Sequence, residues 1–539
     1  MHPMANKLYY GDNLEVLRES IADESVDLVY LDPPFNSNAG YNVLFKAPAG
    51  QKSEAQIEAF EDTWHWTESA ARAYEDVIRS RYPEAATMLK AMRSFLGEND
   101  MMAYLAMMAV RLIELHRVMK PNASVYLHCD PTASHYLKIL LDAIFGPKNY
   151  LNEIIWQRSN AHNTAKRYGK IADTIFFYSK SDNYIWNQIY TPYSEQQLSR
   201  YKKDEDGRLY RGENLTADRA NSSSGKFEWR GTMPPNSRGW GYNIEQLEKW
   251  WTEGRILKKK DGTPRMDGLK IYLEDTKGKP LQSVWTDIDR IGNTSGERLG
   301  YPTQKPLALL ERILQVSSNP GDVVLDPFCG CGTAVHAAQK LERQWIGIDI
   351  THLAVSLIER RLKDAFPGIA FEVHGTPKDI AGARDLAERD KYQFEWWAVS
   401  LVDAVPQGGK KKGMDRGIDG IRWVRSGPKD EFEKVLVSVK GGENVGAAMV
   451  RDLKGTIERE GALGGMFVTL AEPTREMTRE AAAAGFFETS FGTHPKIQIL
   501  TIAGLLAGQK PNLPSPARGE GFKQAPKETG LEKQSKLNL

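Results

Sequence analysis

The chain runs to 539 residues, enough for two or three domains. Its 71 Lys and Arg balance 70 Asp and Glu to a formal charge of +1, which excludes a chain held to nucleic acid by overall charge alone. Three cysteines (Cys129, Cys329 and Cys331) exclude a disulfide framework, and no apolar run reaches the roughly 18 residues of a membrane span, so a cytoplasmic chain with no membrane partner is expected.

Residues 7–35 read as strand, helix, strand. The run from 26 to 31 is bounded by a turn and reads as a buried strand. It ends in Asp32-Pro33-Pro34-Phe35, so an acid sits at the carboxyl end of a strand and a tight turn follows at once. Alone, that is equally an ordinary turn. Residues 36–67 break the periodicity; placed directly after that strand, they could fold over a ligand. Residues 101–119 are helical, with methionines at core spacing. A strand at 124–128 and a helix at 132–144 follow, the helix stopped near Gly146-Pro147. Strands at 153–156 and 174–178 flank a polar stretch.

From about 180 to 295 the chain is polar, irregular and rich in aromatics. Between Trp156 and Lys270 there are 21 Lys and Arg against 14 Asp and Glu. This composition suits a nucleic-acid surface, and it equally suits a domain with a small core and a solvated charged face. The α/β pattern resumes with a helix at 306–317 and a strand at 323–325. Then come Asp326-Pro327-Phe328-Cys329-Gly330-Cys331-Gly332-Thr333, a helix, and a strand at 345–348 that ends in Asp349. Strand, glycine loop, helix, strand, acid is the order of a nucleotide-type cofactor site, with the acid about 20 residues past the loop. The loop is Asp-Pro-Phe-x-Gly-x-Gly rather than the Gly-x-Gly-x-x-Gly of nicotinamide and flavin sites. Cys329 and Cys331 are too close for zinc spacing and read as small residues in a crowded loop, so no metal site is expected there.

Taken together, Asp32-Pro33-Pro34-Phe35 and the loop from Asp326 resemble the amino-methyltransferases of DNA bases. The order of the two segments is that of their beta class, which includes type III modification subunits. Tyr10-Gly11-Asp12-Asn13-Leu14 and Tyr301-Pro302-Thr303-Gln304-Lys305-Pro306-Leu307 stand where that class carries its other motifs. The resemblance covers residues 7–365. It implies an α/β fold: a Rossmann-like S-adenosylmethionine-dependent methyltransferase sheet with an inserted target-recognition region. The expected divisions are a catalytic half at 1–179, the recognition region at 180–295 and a cofactor half at 296–375. S-adenosylmethionine is the implied cofactor and double-stranded DNA the implied substrate. A restriction subunit and a second copy of the chain are candidate partners.

The resemblance assigns Asp32, Pro33, Pro34 and Phe35 to catalysis. An exocyclic amine is a weak nucleophile because its lone pair is delocalised into the ring. A carboxylate and a backbone carbonyl that accept its two N–H bonds would localise that pair. Asp32 can be the carboxylate; the Pro33 carbonyl is free because Pro34 has no N–H; Phe35 can stack on the base. The base must be rotated out of the duplex to reach such a site. Asp326 and Phe328 match positions lining the methionine and adenine parts of the cofactor. Gly330 and Gly332 would let backbone approach it, and the helix beginning near Thr333 would face its carboxylate. Asp349 would accept from the ribose hydroxyls. Thr303 and Lys305 would hold the carboxylate, and Asp12 would contact adenine. In the family, Asp at the first catalytic position goes mostly with adenine N6 and Ser with cytosine N4. Adenine N6 is therefore expected, with cytosine N4 as the alternative.

After 373 the composition changes. A second α/β pattern spans 390–507, and a tail at 508–539 rich in Pro, Lys, Ser and Gly reads as disordered. Gly417-Ile418-Asp419-Gly420-Ile421, then Lys434 to Gly442, then a helical stretch with Arg451 and Asp452 resemble the PD-(D/E)XK restriction-endonuclease fold. Asp419 and Lys440 match its acid and lysine, but Ser438 stands where a second acid belongs, and a hydroxyl is a poor magnesium ligand. Glu443 or Asp452 could supply the charge. A smaller C-terminal nuclease-like domain that does not cut DNA is expected, with a fused restriction–modification enzyme as the rival.

Overall fold

The computed structural model describes residues 6–34, 40–44, 56–61, 65–159, 166, 168–218, 223–292, 294–301, 303–407, 417–427, 431–514 and 525–528. By contacts the chain forms two compact units, one built on Met1–Asn187 with Ser283–Leu531 and the other on Gln188–Gln282.

The first unit is organised by a nine-stranded sheet. Its strands are β1 (Lys7–Tyr10), β2 (Val26–Leu31), β3 (Met119–Cys129), β4 (Tyr150–Gln157), β5 (Ala172–Ser179), β6 (Val284–Trp285), β7 (Val323–Asp326), β8 (Gln344–Asp349) and β9 (Glu372–His374). The spatial order is β6-β4-β5-β3-β2-β7-β8-β1-β9. β5 runs antiparallel to both of its neighbours, β3 and β4, and every other pairing is parallel. β2 and β7 are side by side, with Val324 opposite Leu28 and Leu325 opposite Val29. That pairing joins the two halves of the sequence at a switch in strand order, the place where open α/β sheets bind ligands.

The two-residue period sorts the side chains. Val29 and Leu31 of β2, Val125 and Leu127 of β3, Val323 and Leu325 of β7 and Ile346 and Ile348 of β8 enter one apolar core. That core is completed by α1 (Asn13–Ser20), α2 (Glu68–Ile78), α3 (Pro83–Leu96), α4 (Asp100–Val118) and α5 (Ser134–Phe145). The alternate residues Tyr30, Asp32, Tyr126, His128 and Asp326 belong to the opposite face. There Tyr126 Oη lies 2.7 Å from Ser317 Oγ, at the end of α6 (Leu307–Ser317). Within 36–67, expected to be irregular, Gly40–Leu44 and Gln56–Glu61 pair as an antiparallel hairpin. The rest of that stretch up to 64 lies outside the described residues.

A second sheet of the same unit holds β10 (Val405–Pro406), β11 (Gly420–Arg425), β12 (Phe432–Lys440), β13 (Gly464–Thr469) and β14 (Ile497–Thr501), in that order. The first three alternate direction; β12, β13 and β14 are parallel. α9 (Ile380–Arg389) and α10 (Lys391–Leu401) cover one face, and α11 (Ala447–Arg459) covers the other. Trp396 of α10 leaves that sheet and packs with Leu299, Tyr301, Cys331, Leu353, Leu357, Ala365 and Ala525. The tail read as disordered is therefore ordered at 525–528. The Glu528 amide donates to the Ala365 carbonyl at 3.1 Å, and Glu528 Oε1 lies 3.0 Å from His336 Nε2. Residues 515–524 and 529–539 are outside the description.

The second unit is less irregular than its sequence suggests. A four-stranded antiparallel sheet joins Lys202–Lys203, Leu209–Glu213, Ile256–Lys258 and Pro264–Tyr272. Trp229 and Trp240 are buried with Leu215, Leu247, Ile256 and Leu269. These aromatics form a small core of the unit. Other cations ride on rings at the surface: the Arg208 guanidinium is 3.7 Å from the Tyr272 ring centroid, and Arg230 and Lys258 each lie 4.7 Å from Trp251.

Candidate active site

A cavity of about 300 Å³ opens at the carboxyl edge of β2, β7 and β8. Its lining includes Asp12, Asp32, Pro33, Pro34, Thr303, Lys305, Asp326, Phe328, Gly330 and Asp349. Phe35, also singled out from sequence, lies outside the described residues. Gly332 does not line the cavity, and the reason for its glycine is packing. Its φ is +75°, and a Cβ there would stand 2.8 Å from Ile358 Cγ1. It caps α7 (Thr333–Lys340). Gly330 has a φ of +52°, borders the cavity, and has Tyr301 over it.

The loop after β7 is built by short-range bonds. Asp326 Oδ1 accepts from the Phe328 amide at 3.0 Å, the Cys329 amide donates to the Ile348 carbonyl at 3.0 Å, and the Gly332 amide donates to Cys329 O at 2.8 Å. Asp349 ties the loop to the next strand: Oδ2 accepts from the Gly330 amide at 2.8 Å, and Oδ1 accepts from the Thr351 amide and hydroxyl at 2.9 Å each. A carboxylate oxygen accepts more than one bond, so Oδ2 keeps capacity for a hydroxyl. Burial pushes the Asp349 carboxyl up to about 6, against the hydrogen bonds that favour its charge. Burial raises Asp326 well above the usual carboxylate range, helped by Asp32 and Asp349 nearby.

Asp12 caps α1 by accepting from the Leu14 amide at 2.7 Å. Its carboxylate also takes two bonds from Arg111 of α4, at 3.0 and 2.9 Å. Sequence reading missed Arg111 and its neighbour Asn13, whose Nδ2 donates to the Pro327 carbonyl at 2.8 Å and so fastens α1 to the loop. It also missed a chain on the site face of the sheet. Tyr30 Oη is 3.1 Å from His128 Nδ1, His128 Nε2 is 3.2 Å from Asp173 Oδ2, and Arg158 Nε is 3.0 Å from Asp173 Oδ1. The signal was present as polar residues at alternating positions of neighbouring strands, but only the strand order shows that they meet.

Lys305 lines the same cavity. Its ammonium forms an ion pair with Asp32 Oδ2, both side chains being largely buried. Asp32 Oδ1 is buried with no hydrogen-bond partner among the described residues.

These residues fit a sulfonium nucleoside. A glycine-bordered loop, an acid with accepting capacity at the next strand end and exposed Ile350 beside it suit a ribose and a flat base. Asp32, Asp326 and Asp349 around one cavity suit a positive sulfur.

In the C-terminal sheet Asp419 is consumed structurally: Oδ2 accepts from the Val439 amide at 2.6 Å and lies 3.8 Å from Lys440 Nζ. Glu443 pairs with Arg384 at 2.9 Å. Glu395 of α10 feels the charge of Asp419: burial, and then Asp419, push its carboxyl up to about 7. No group of three or more His, Cys, Asp or Glu suited to a metal occurs among the described residues.

Residues 26–360, more than half of the chain, match a family model described as DNA methylase of the N6/N4 type. Residues 407–506 match one described as NACHT-associated inactive restriction endonuclease 1. The chain is 29% identical over 361 residues to the type II methyltransferase M.EcaI of Enterobacter cloacae, covering 66% of this chain and 69% of that protein. It is 24% identical over 358 residues to the Mod subunit of the type III restriction–modification enzyme StyLTI of Salmonella typhimurium, covering 63% of this chain and half of that protein. A DNA modification methylase of Thermus thermophilus, solved with S-adenosyl-L-methionine, is 17% identical at a TM-score of 0.32, covering 68% of this chain and 99% of that one. The chain belongs to the N6/N4 DNA methylase family and is a DNA methyltransferase that draws its methyl group from S-adenosylmethionine.

Proposed function

We propose that the protein methylates the exocyclic N6 amine of an adenine rotated out of double-stranded DNA. The observation that carries this reading is Asp32: it lines the cavity, and its Oδ1 is buried with no hydrogen-bond partner among the described residues. A buried acceptor left open costs about 1–3 kcal/mol, so it is best explained by a donor that arrives with the substrate. The amine is that donor. Asp32 Oδ1 accepts one N–H and the Pro33 carbonyl the other, which concentrates the lone pair on nitrogen. When bound, S-adenosylmethionine supplies an electrophilic methyl carbon and keeps the bonding electrons as a neutral thioether. The methylated amine then loses its extra proton to Asp32 or to water. Phe35 follows at once in sequence and would stack on the base. Asp at position 32, rather than Ser, favours adenine over cytosine.

On the cofactor side, Asp349 holds the ribose, Gly330 admits the backbone, and Asp326, Phe328, Thr303 and Asp12 line the remainder. Gln188–Gln282 reads the target sequence. The nuclease-like segment binds without cutting, because Asp419 is committed and Ser438 replaces an acid. The Mod-subunit relative favours a restriction partner. The three buried free cysteines suit a reducing cytoplasm, and among the described residues no helix is long and apolar enough to cross a membrane.

The test is Asp32→Ala. Methyl transfer to DNA should fall about 10³-fold, while S-adenosylhomocysteine affinity stays within about threefold of wild type. Loss of cofactor affinity in a folded variant would show that Asp32 belongs to the cofactor side.

A further inference from the structure

We propose that Lys305 serves the catalytic carboxylate and not the cofactor: it is a positioning residue that fixes Asp32 Oδ2 by an ion pair and leaves Oδ1 as the carboxylate oxygen presented to the incoming amine. The inference rests on the methylation reading above.

The backbone delivers Lys305 to this place. Gln304 pins the preceding turn, its Nε2 donating to the Glu297 carbonyl at 2.7 Å and its Oε1 accepting from the Leu299 amide at 2.8 Å. Pro306 then caps α6, and a residue before proline is driven to extended backbone. Lys305 is thus held between a pinned turn and a helix start, with its side chain paired to the strand-end acid of β2.

The charges around it explain why a cation is needed. Asp32 lies close enough to Asp326 to disfavour ionisation of the Asp326 carboxyl, and Lys305 acts on Asp326 in the opposite sense. Asp173, at the end of the Tyr30–His128 chain, also feels the Lys305 ammonium. Among the described residues, the other cation lining the cavity is Arg111, which is committed to Asp12 by two bonds. Lys305 is therefore the cation that offsets the crowding of acids on the base side. A carboxylate held at one oxygen also has its plane fixed, so Oδ1 does not swing away from the amine.

Three variants test this. In Lys305→Met, kcat at saturating cofactor should fall about 100-fold, with S-adenosylhomocysteine affinity within about threefold of wild type. Lys305→Arg keeps a cation and should recover most of kcat. Removing one partner of a buried pair leaves the other charge uncompensated, so Lys305→Met should lower Tm, and adding Asp32→Asn should restore it. That melting measurement is independent of activity. A cofactor affinity that collapses in Lys305→Met while kcat holds at saturation overturns the proposal and returns Lys305 to the cofactor carboxylate. A Tm that Asp32→Asn fails to restore overturns the pairing. A wild-type protein that methylates no DNA removes the reading on which the inference rests. Wild-type methylation with a fully active Lys305→Met removes the inference alone.

Discussion

Asp349 accepts three hydrogen bonds before any ligand arrives, yet burial still raises its carboxyl to about 6. The folded protein holds this proton to a higher pH than the unfolded chain, so the group's contribution to stability is complete below the ordinary carboxylate range and is lost as pH rises through about 6. Ribose hydroxyls donate to the ionised form, so cofactor binding must expel the proton below that pH. Affinity for S-adenosylhomocysteine should drop as pH falls below about 6 and level off above it. Asp349→Asn should weaken binding about 10- to 100-fold and remove that pH dependence; calorimetry from about pH 5 to pH 8 checks both. Asp32, Asp326 and Asp349 were legible in sequence because each ends an apolar run with a turn or a glycine loop behind it. Arg111 was not, because it sits among Met and Leu at helical spacing and its partner Asp12 is distant in sequence. Lys305 was legible as a lining residue of the cavity, but its ion pair with Asp32 was not, since a motif gives no indication of which anions a lysine faces.

At the scale of elements, the loop between β7 and α7 does the most with the fewest residues. Gly332→Ala puts a Cβ against Ile358 of α8 (His352–Ala365) at a backbone φ of +75°. Overpacking and left-handed strain should together cost about 1–3 kcal/mol. A lower denaturation midpoint, with weaker cofactor binding arising only through loop displacement, is the expected outcome, and an unchanged midpoint would show that α8 yields. The order of strand, glycine loop, helix, strand and acid was readable from periodicity. The hairpin at Gly40–Leu44 and Gln56–Glu61 and the sheet of the second unit were not. Short strands in polar sequence carry little alternation, and their pairing is decided by partners far along the chain.

For the whole molecule, the C-terminal sheet is joined to the methyltransferase and is not appended to it. Trp396 and Ala525 complete the apolar cluster that holds Tyr301 and Cys331, both of which line the cavity, and Tyr10 packs on the core of the second sheet. The composition change after 373 suggested a separable domain, because composition reports solubility and says nothing of who covers Leu353 and Leu357. Ending the chain at 375 should therefore expose that cluster and give a protein that aggregates or melts earlier. A truncated chain that binds S-adenosylhomocysteine like the full one would show that the second sheet is dispensable. The central claim is adenine N6 chemistry at Asp32, and nucleoside mass spectrometry of DNA incubated with the full-length protein and isotope-labelled S-adenosylmethionine tests it most directly. Labelled N6-methyladenine, absent with Asp32→Ala, is the expected result; labelled N4-methylcytosine, or label that persists with Asp32→Ala, would contradict it.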